Sequence, residues 1–291
     1  MKTVLPILTV VATIVVLWYA AAIPMNAQWA RDQAARADTT LNNSELIADT
    51  WSQERPRLPV PHQVVAELWG STGAMALEGR AFSKRSLILH TWYTLSATML
   101  GFAIGTAAGV LLAVGIVYNR AMDMAVMPWA IASQTIPILA IAPMIIVVLN
   151  SIGIQGLIPK AIISAYLSFF PVVVGMVKGL RAPGRDQLDL LSTYSATAGD
   201  QFWKLRLPAS MPYFFTAMKI SIAAALVGTI VGELPTGAVR GLGARMLSGS
   251  YYGQTIQIWS ALFAAAILAA ALVAVVGLLE RATLKRMGMQ P

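Results

Sequence analysis

Residues 124–159 carry no charged side chain, and neither do residues 3–30. A helix crosses a hydrocarbon core with about 20 consecutive apolar residues, so each run can span a bilayer. The run at 124–159 is too long for one helix, and Asn150, Ser151, Gly153 and Gly156 mark a turn inside it. Of 291 residues, only 12% are charged and 57% are hydrophobic, with mean hydropathy +0.67. Soluble domains carry about 25% charged residues. This chain therefore lacks the polar surface of a soluble enzyme, a disordered protein or a fibre. It reads as an all-α membrane protein.

Six spans emerge from the hydropathy. The first helix lies in 1–23 and is followed by a polar loop over 24–86. A core of five further helices occupies 87–280, with spans at 87–118, 124–149, 155–177, 210–235 and 255–279, and a tail follows at 281–291. The first run is longer than the apolar stretch of about 7–15 residues in a cleaved signal peptide. Within the polar loop, the segment from Val64 reads as a short amphipathic helix lying at a surface. It is too short and too charged to span.

Charge placement sets the orientation. The loop over 24–86 holds equal numbers of acidic and basic residues, so the whole net charge of +8 lies elsewhere. Cytoplasmic loops concentrate Lys and Arg. Arg120, Lys178, Arg181, Arg185, Lys204, Arg206, Lys219, Arg281, Lys285 and Arg286 share one side with Lys2 when both termini are cytoplasmic. Residues 178–209 are then the largest cytoplasmic segment and 24–86 is extracytoplasmic. Lys84 and Arg85, just before the second span, run against this bias.

No G-x-x-x-x-G-K-[ST] phosphate loop occurs, so the chain has no such site for ATP hydrolysis. There is no H-E-x-x-H, no cysteine, and only His62 and His90 among histidines. The expectation is no catalytic residue, no metal and no cofactor on this chain. Basic patches interleaved with aromatics are missing, which argues against nucleic acid as a partner.

Several positions stand out. Gly101, Gly105 and Gly109 form a small-residue stripe on the second span, suited to close helix packing and compatible with a sliding seam. Pro137 and Pro143 in the third span predict a kinked helix. Gln134, Thr135 and Asn150 are candidates to line a polar pathway, or to bond adjacent helices. Glu233 is an acid within an apolar segment, costly unless paired or wet. It either faces the pathway or is neutralised by Arg240 or Arg245.

Residues 178–219 are basic and amphipathic, with two short helices broken near Gly199. Leu188, Leu191 and Tyr194 share one helical face, and Phe202 and Leu205 add apolar knobs beyond the break. A charge-rimmed apolar patch of this kind marks a protein interface, or a helix lying on lipid headgroups.

Here the sequence resembles a family. Asp189, Leu190, Leu191, Ser195, Leu205, Leu207 and Pro208 fall on the pattern E-A-A-x3-G-x9-I-x-L-P, the EAA loop of bacterial ABC importer permeases. Asp189 takes the Glu position, Leu190 and Leu191 replace the alanines, Ser195 takes the Gly position and Leu205 the Ile position. Gly199 is available to take over part of the missing glycine's role. Leu58-Pro59-Val60-Pro61, Phe169-Phe170-Pro171, the stretch Leu207–Phe214 and Gly241-Leu242-Gly243 are similar to the nitrate/sulfonate/taurine branch. The resemblance covers roughly residues 55–280.

The resemblance implies a type I importer architecture in the bacterial inner membrane. Two permease subunits, most simply a homodimer, would form the pathway in contact with membrane lipid. Separate ATPase subunits would dock on residues 189–208, and an extracytoplasmic solute-binding protein would deliver the solute. Asp189, Leu190, Leu191, Tyr194, Ser195, Gly199, Phe202, Leu205, Leu207 and Pro208 would form the coupling element. The rival reading is a single-chain secondary transporter or channel, which calls for an inverted repeat or ionisable groups at mid-membrane.

Overall fold

The structure, a computed structural model, describes residues 4–39, 41–235 and 240–289. Lys2 and the last two residues of the tail lie outside the described residues. In chain order the helices are α1 (Val4–Arg36), α2 (Asn43–Ser52), α3 (Pro61–Trp69), α4 (Met75–Leu77), α5 (Leu87–Tyr118), α6 (Arg120–Ser133) and α7 (Ile138–Ser151). They continue with α8 (Leu157–Leu180), α9 (Arg185–Thr193), α10 (Ala198–Gln201), α11 (Leu207–Glu233), α12 (Leu242–Tyr251) and α13 (Thr255–Arg286). Wide π-helical turns occupy Gly70–Ala74 and Phe202–Arg206. Five of these helical stretches are long and apolar enough to cross a membrane, and the bent pair α6–α7 brings the number to six.

The third span departs from the sequence reading. Instead of one kinked helix, α6 and α7 are separate and meet at 99° across residues 134–137. Pro137 supplies no backbone N–H and disfavours helical geometry in the residue before it, so the helix stops and restarts. Pro128 and Pro143 are absorbed within helices.

The chain divides into two compact units. One comprises residues 1–90 and 244–265, the other 91–243 and 266–291. In the first, α1 continues well past residue 23, running through Pro24 to Arg36. The buried Asn26 side chain explains the extension. Its amide donates to the carbonyls of Thr50 (3.1 Å) and Leu58 (2.9 Å), and its oxygen accepts from the Leu58 N–H (3.1 Å). The polar segment thus packs along the helix that precedes it. Trp18 adds ring contacts to Trp259 (4.9 Å) and Phe263 (5.9 Å).

In the second unit α8 and α11 form the most extensive helix pair. Their seam is lined by small polar side chains. Ser164 donates to the Ala225 carbonyl (2.8 Å) and Ser221 to the Ser168 carbonyl (2.5 Å). Such bonds satisfy hydroxyls that lipid could not. The glycine stripe of α5 packs on α8 at the same serines, Ser164 and Ser168. A Cβ at Gly101 would stand 2.5 Å from the Ala161 carbonyl oxygen, and one at Gly109 2.8 Å from that of Phe169. Ala113 and Ile116 continue this interface into a core with Val172, Val173, Met176, Val177 and Leu180.

Candidate functional site

Two places in the second unit carry the chemistry, one at each end of the α5–α8–α11 bundle. At the first end, α8 begins and α11 finishes, because the two helices run antiparallel. Glu233, the last residue of α11, is fully buried. Its carboxylate accepts from Thr94 Oγ1 at 3.0 and 3.1 Å and from the Gly243 N–H at 2.8 Å. Lys160 Nζ stands 3.9 Å away and also donates to the Arg240 carbonyl at 3.3 Å. Thr94 Oγ1 in turn accepts from the Leu242 N–H (2.8 Å). Gly241 passes over the carboxylate at φ +127°, where a Cβ would come 2.5 Å from Oε2. Only glycine adopts that backbone and leaves that space.

Among the described residues Glu233 pairs with Lys160, a partner that the sequence reading did not name. The signal for that pairing was present. Lys160 opens one helix and Glu233 closes its antiparallel neighbour, which brings the two side chains to the same level.

Beside this cluster lies a cavity of about 470 Å³, lined by Tyr93, Ser96, Asn150, Gln155, Lys160 and Arg240 among others. Arg240 donates to the Tyr93 hydroxyl and stacks over its ring at 5.1 Å. Asn150 therefore shares a cavity with charged and aromatic side chains that the sequence did not group with it. Gln134 and Thr135 do not join it. They are exposed at the α6–α7 break, and Thr135 bonds locally to the Ala132 carbonyl at 2.8 Å.

At the opposite end, α9 closes with a left-handed residue. Ser195 has φ +55°, its N–H bonds the Ser192 carbonyl (2.9 Å), and the Ala196 N–H reaches back to Leu191 (3.1 Å). This pair of hydrogen bonds is the Schellman termination, whose left-handed position favours glycine. Ser195 itself holds the turn. Gly199 lies in the first turn of α10 and takes no part in it. The break between helices falls at 194–197, earlier than the sequence reading put it. Thr197 and Asp200 then form a reciprocal cap, with Asp200 N–H donating to Thr197 Oγ1 and Thr197 N–H to the Asp200 carboxylate, both at 3.2 Å.

The π turn at Phe202–Arg206 comes directly after α10. Pro208 cannot donate to the residue four before it, and the wider turn absorbs that missing bond. Phe202 and Leu207 pack into the α5–α8 core, and Phe202 meets Tyr118 edge-on at 6.1 Å. Arg206 donates to the Leu180 carbonyl at 2.8 Å. These side chains tie the segment to the bundle and are not free knobs. The apolar groups left outward are Leu190 (57% exposed), Tyr194 (77%) and Trp203 (68%). Leu188, Leu191 and Leu205 are half-buried, and Asp189 is exposed on α9. Trp203 escapes a reading by helical spacing because it lies on the π turn, where that spacing fails.

Residues 105–289 match the family model described as binding-protein-dependent transport system inner membrane component. The formylaminopyrimidine transport permease protein ThiX of Halalkalibacterium halodurans is 32% identical over 161 residues, 55% of this chain and 62% of that protein. The match thus spans less than two thirds of that relative. The riboflavin transport system permease protein RibX of Chloroflexus aurantiacus is 29% identical over 77% of this chain and 78% of its own length. The nitrate import permease protein NrtB of Leptolyngbya laminosa is 26% identical over 76% and 75%. With its membrane-spanning helices, its match over more than half the chain and relatives that are transport permeases, this protein belongs to the family of binding-protein-dependent transport system inner membrane components.

Proposed function

We infer that this chain is the membrane-spanning permease subunit of an ATP-binding-cassette importer and that residues 185–206 are where its ATPase docks. The observation that carries the reading is the outward set Leu190, Tyr194 and Trp203, held on a segment anchored to the bundle through Phe202 and Arg206. Apolar side chains are kept in water at a cost, and a firmly held set of them suits a partner surface. The hydrogen-bonded turn at Ser195 sets the angle at which α9 presents its face beside α10. Two permease subunits, most simply two copies of this chain, enclose the pathway, and an extracytoplasmic binding protein delivers a small solute. Both termini face the cytoplasm. Asn150 and the cavity beside Glu233 sit at the extracytoplasmic mouth, where Tyr93, Arg240 and Gln155 offer an arriving solute a cation-backed ring and an amide.

The test is capture of the ATPase. Tagged wild-type chain and the double variant Leu190→Asp with Tyr194→Asp are purified from the same detergent extract. Both substituted positions are exposed, so the bundle keeps its fold. ATPase activity retained by the wild type and absent from the variant is the expected result. No ATPase with either protein would overturn the importer reading.

A further inference from the structure

The segment between α3 and α5 carries large apolar side chains that the first unit leaves outward. Val65 is 64% exposed, Trp69 62%, Leu77 82% and Phe82 72%. Val65 and Trp69 are one helical turn apart on α3, opposite the buried Val64. α3 is tied to α1 at its start, where the exposed His62 stacks on Tyr19 at 5.9 Å and bonds its hydroxyl at 2.9 Å.

The start of α5 sets the height of this segment. Leu87 opens α5, a membrane-spanning helix. Ser86 Oγ donates to the Ser71 carbonyl at 3.3 Å and accepts from the Ile88 N–H at 3.2 Å, so the π turn is pinned to the first turn of that span. Between them, the chain turns at Ser83, whose N–H bonds Arg80 (2.9 Å), and at Ser86, whose N–H bonds Ser83 (3.0 Å). Phe82 and Leu77 thus lie on a short stretch held at both ends close to the start of α5. Lys84 and Arg85 are exposed at the same level. Trp69 is also shaped for the place. Its ring lies along the helix over Gly73, where a Cβ would come 2.7 Å from the ring.

We propose that residues 61–85 form an interfacial anchor lying in the lipid headgroup layer, with Val65, Trp69, Leu77 and Phe82 entering the acyl boundary and Lys84 and Arg85 contacting lipid phosphates. Aromatic side chains favour this boundary, and a short amphipathic helix binds there through apolar burial plus charge. Such an anchor explains why Lys84 and Arg85 break the positive-inside pattern. They serve the headgroups of the outer leaflet and do not report topology. The anchor stands independently of the ATPase-docking reading.

The chain has no cysteine, so single nitroxide labels are readily placed. Val65→Cys, Leu77→Cys and Phe82→Cys are labelled in the full chain, reconstituted in phosphatidylcholine vesicles with and without phosphatidylglycerol. Glu45→Cys, exposed on α2, serves as the water-facing reference. Collision with oxygen and with a water-soluble nickel chelate is read by paramagnetic resonance. The expected oxygen-to-nickel ratio is several-fold above that of the reference at all three sites. The pair Lys84→Gln with Arg85→Gln should remove any increase that phosphatidylglycerol brings. A ratio equal to the reference places the face in water and overturns the proposal. Protection from both reagents means a protein covers the face, a second copy or a partner, and overturns it equally.

Discussion

The two ends of the α5–α8–α11 bundle are built in opposite ways. One end hides its charge: Glu233 is fully buried and held by Thr94, the Gly243 amide and Lys160. The other shows its apolar groups, Leu190, Tyr194 and Trp203. A buried, multiply bonded carboxylate stabilises one arrangement of the helices that meet at it. Outward apolar side chains stabilise nothing in the isolated chain and gain only when covered. Stability and partner capture should therefore separate cleanly between the ends.

The largest effect is expected at Glu233. Glu233→Ala leaves Lys160 buried without its carboxylate, and removing one member of a buried pair costs about 3–5 kcal/mol. Thermal unfolding in detergent should register a marked fall in Tm, with a smaller fall for Glu233→Gln, which still accepts from Thr94 and Gly243. A tolerated alanine would erase the contrast between the ends. Next comes the glycine stripe between them. Gly101→Ala drives a methyl against the Ala161 carbonyl and should cost about 1–3 kcal/mol, the range for overpacking, read in the same melt.

At the exposed end the signs change. Ser195→Gly relieves a left-handed residue, worth about 1 kcal/mol, and should stabilise the turn by up to that amount after glycine's entropy cost, seen as slower amide exchange at Ala196. Leu190→Asp with Tyr194→Asp should shift stability by about 0.5 kcal/mol or less while abolishing ATPase capture. A large drop in Tm from that pair would mean the face is structural.

The smallest effect concerns Glu67 in the first unit. Burial raises its carboxyl above the ordinary value near 4.5, and Arg245 partly opposes the shift. An acid with a raised folded-state pKa stabilises the fold below its unfolded value and loses that contribution as pH rises through the folded one. The Tm of wild type relative to Glu67→Gln should therefore fall as pH rises above 4.5.

The spans were legible in the sequence because lipid demands long apolar helices, and the prolines flagged the third span as irregular. Its separation into α6 and α7 was not legible, since Pro128 and Pro143 look alike to Pro137 and yet sit inside helices. The long α1 was hidden for a related reason. Its polar half is helical through the bonds of Asn26 to residues far along the chain. At the candidate sites, the pattern singled out residues 189–208 but not which of their side chains turn inward. Phe202 looks outward by spacing and is turned inward by the π turn. Glu233 was identified as unusual, but its partners lie on three separate elements.

No break separates the π turn from α11. Ala198 to Glu233 is a single continuous helix of 36 residues, about 54 Å long at 1.5 Å per residue. It forms a rod with the exposed Trp203 near one tip and the buried Glu233 at the other. Rotating such a rod by roughly 5° about its middle displaces each tip by about 2.4 Å. That is nearly the whole length of the bond from Gly243 to Glu233, 2.8 Å. A swing of a few degrees at one tip is thus comparable in size to the bond that fastens the other.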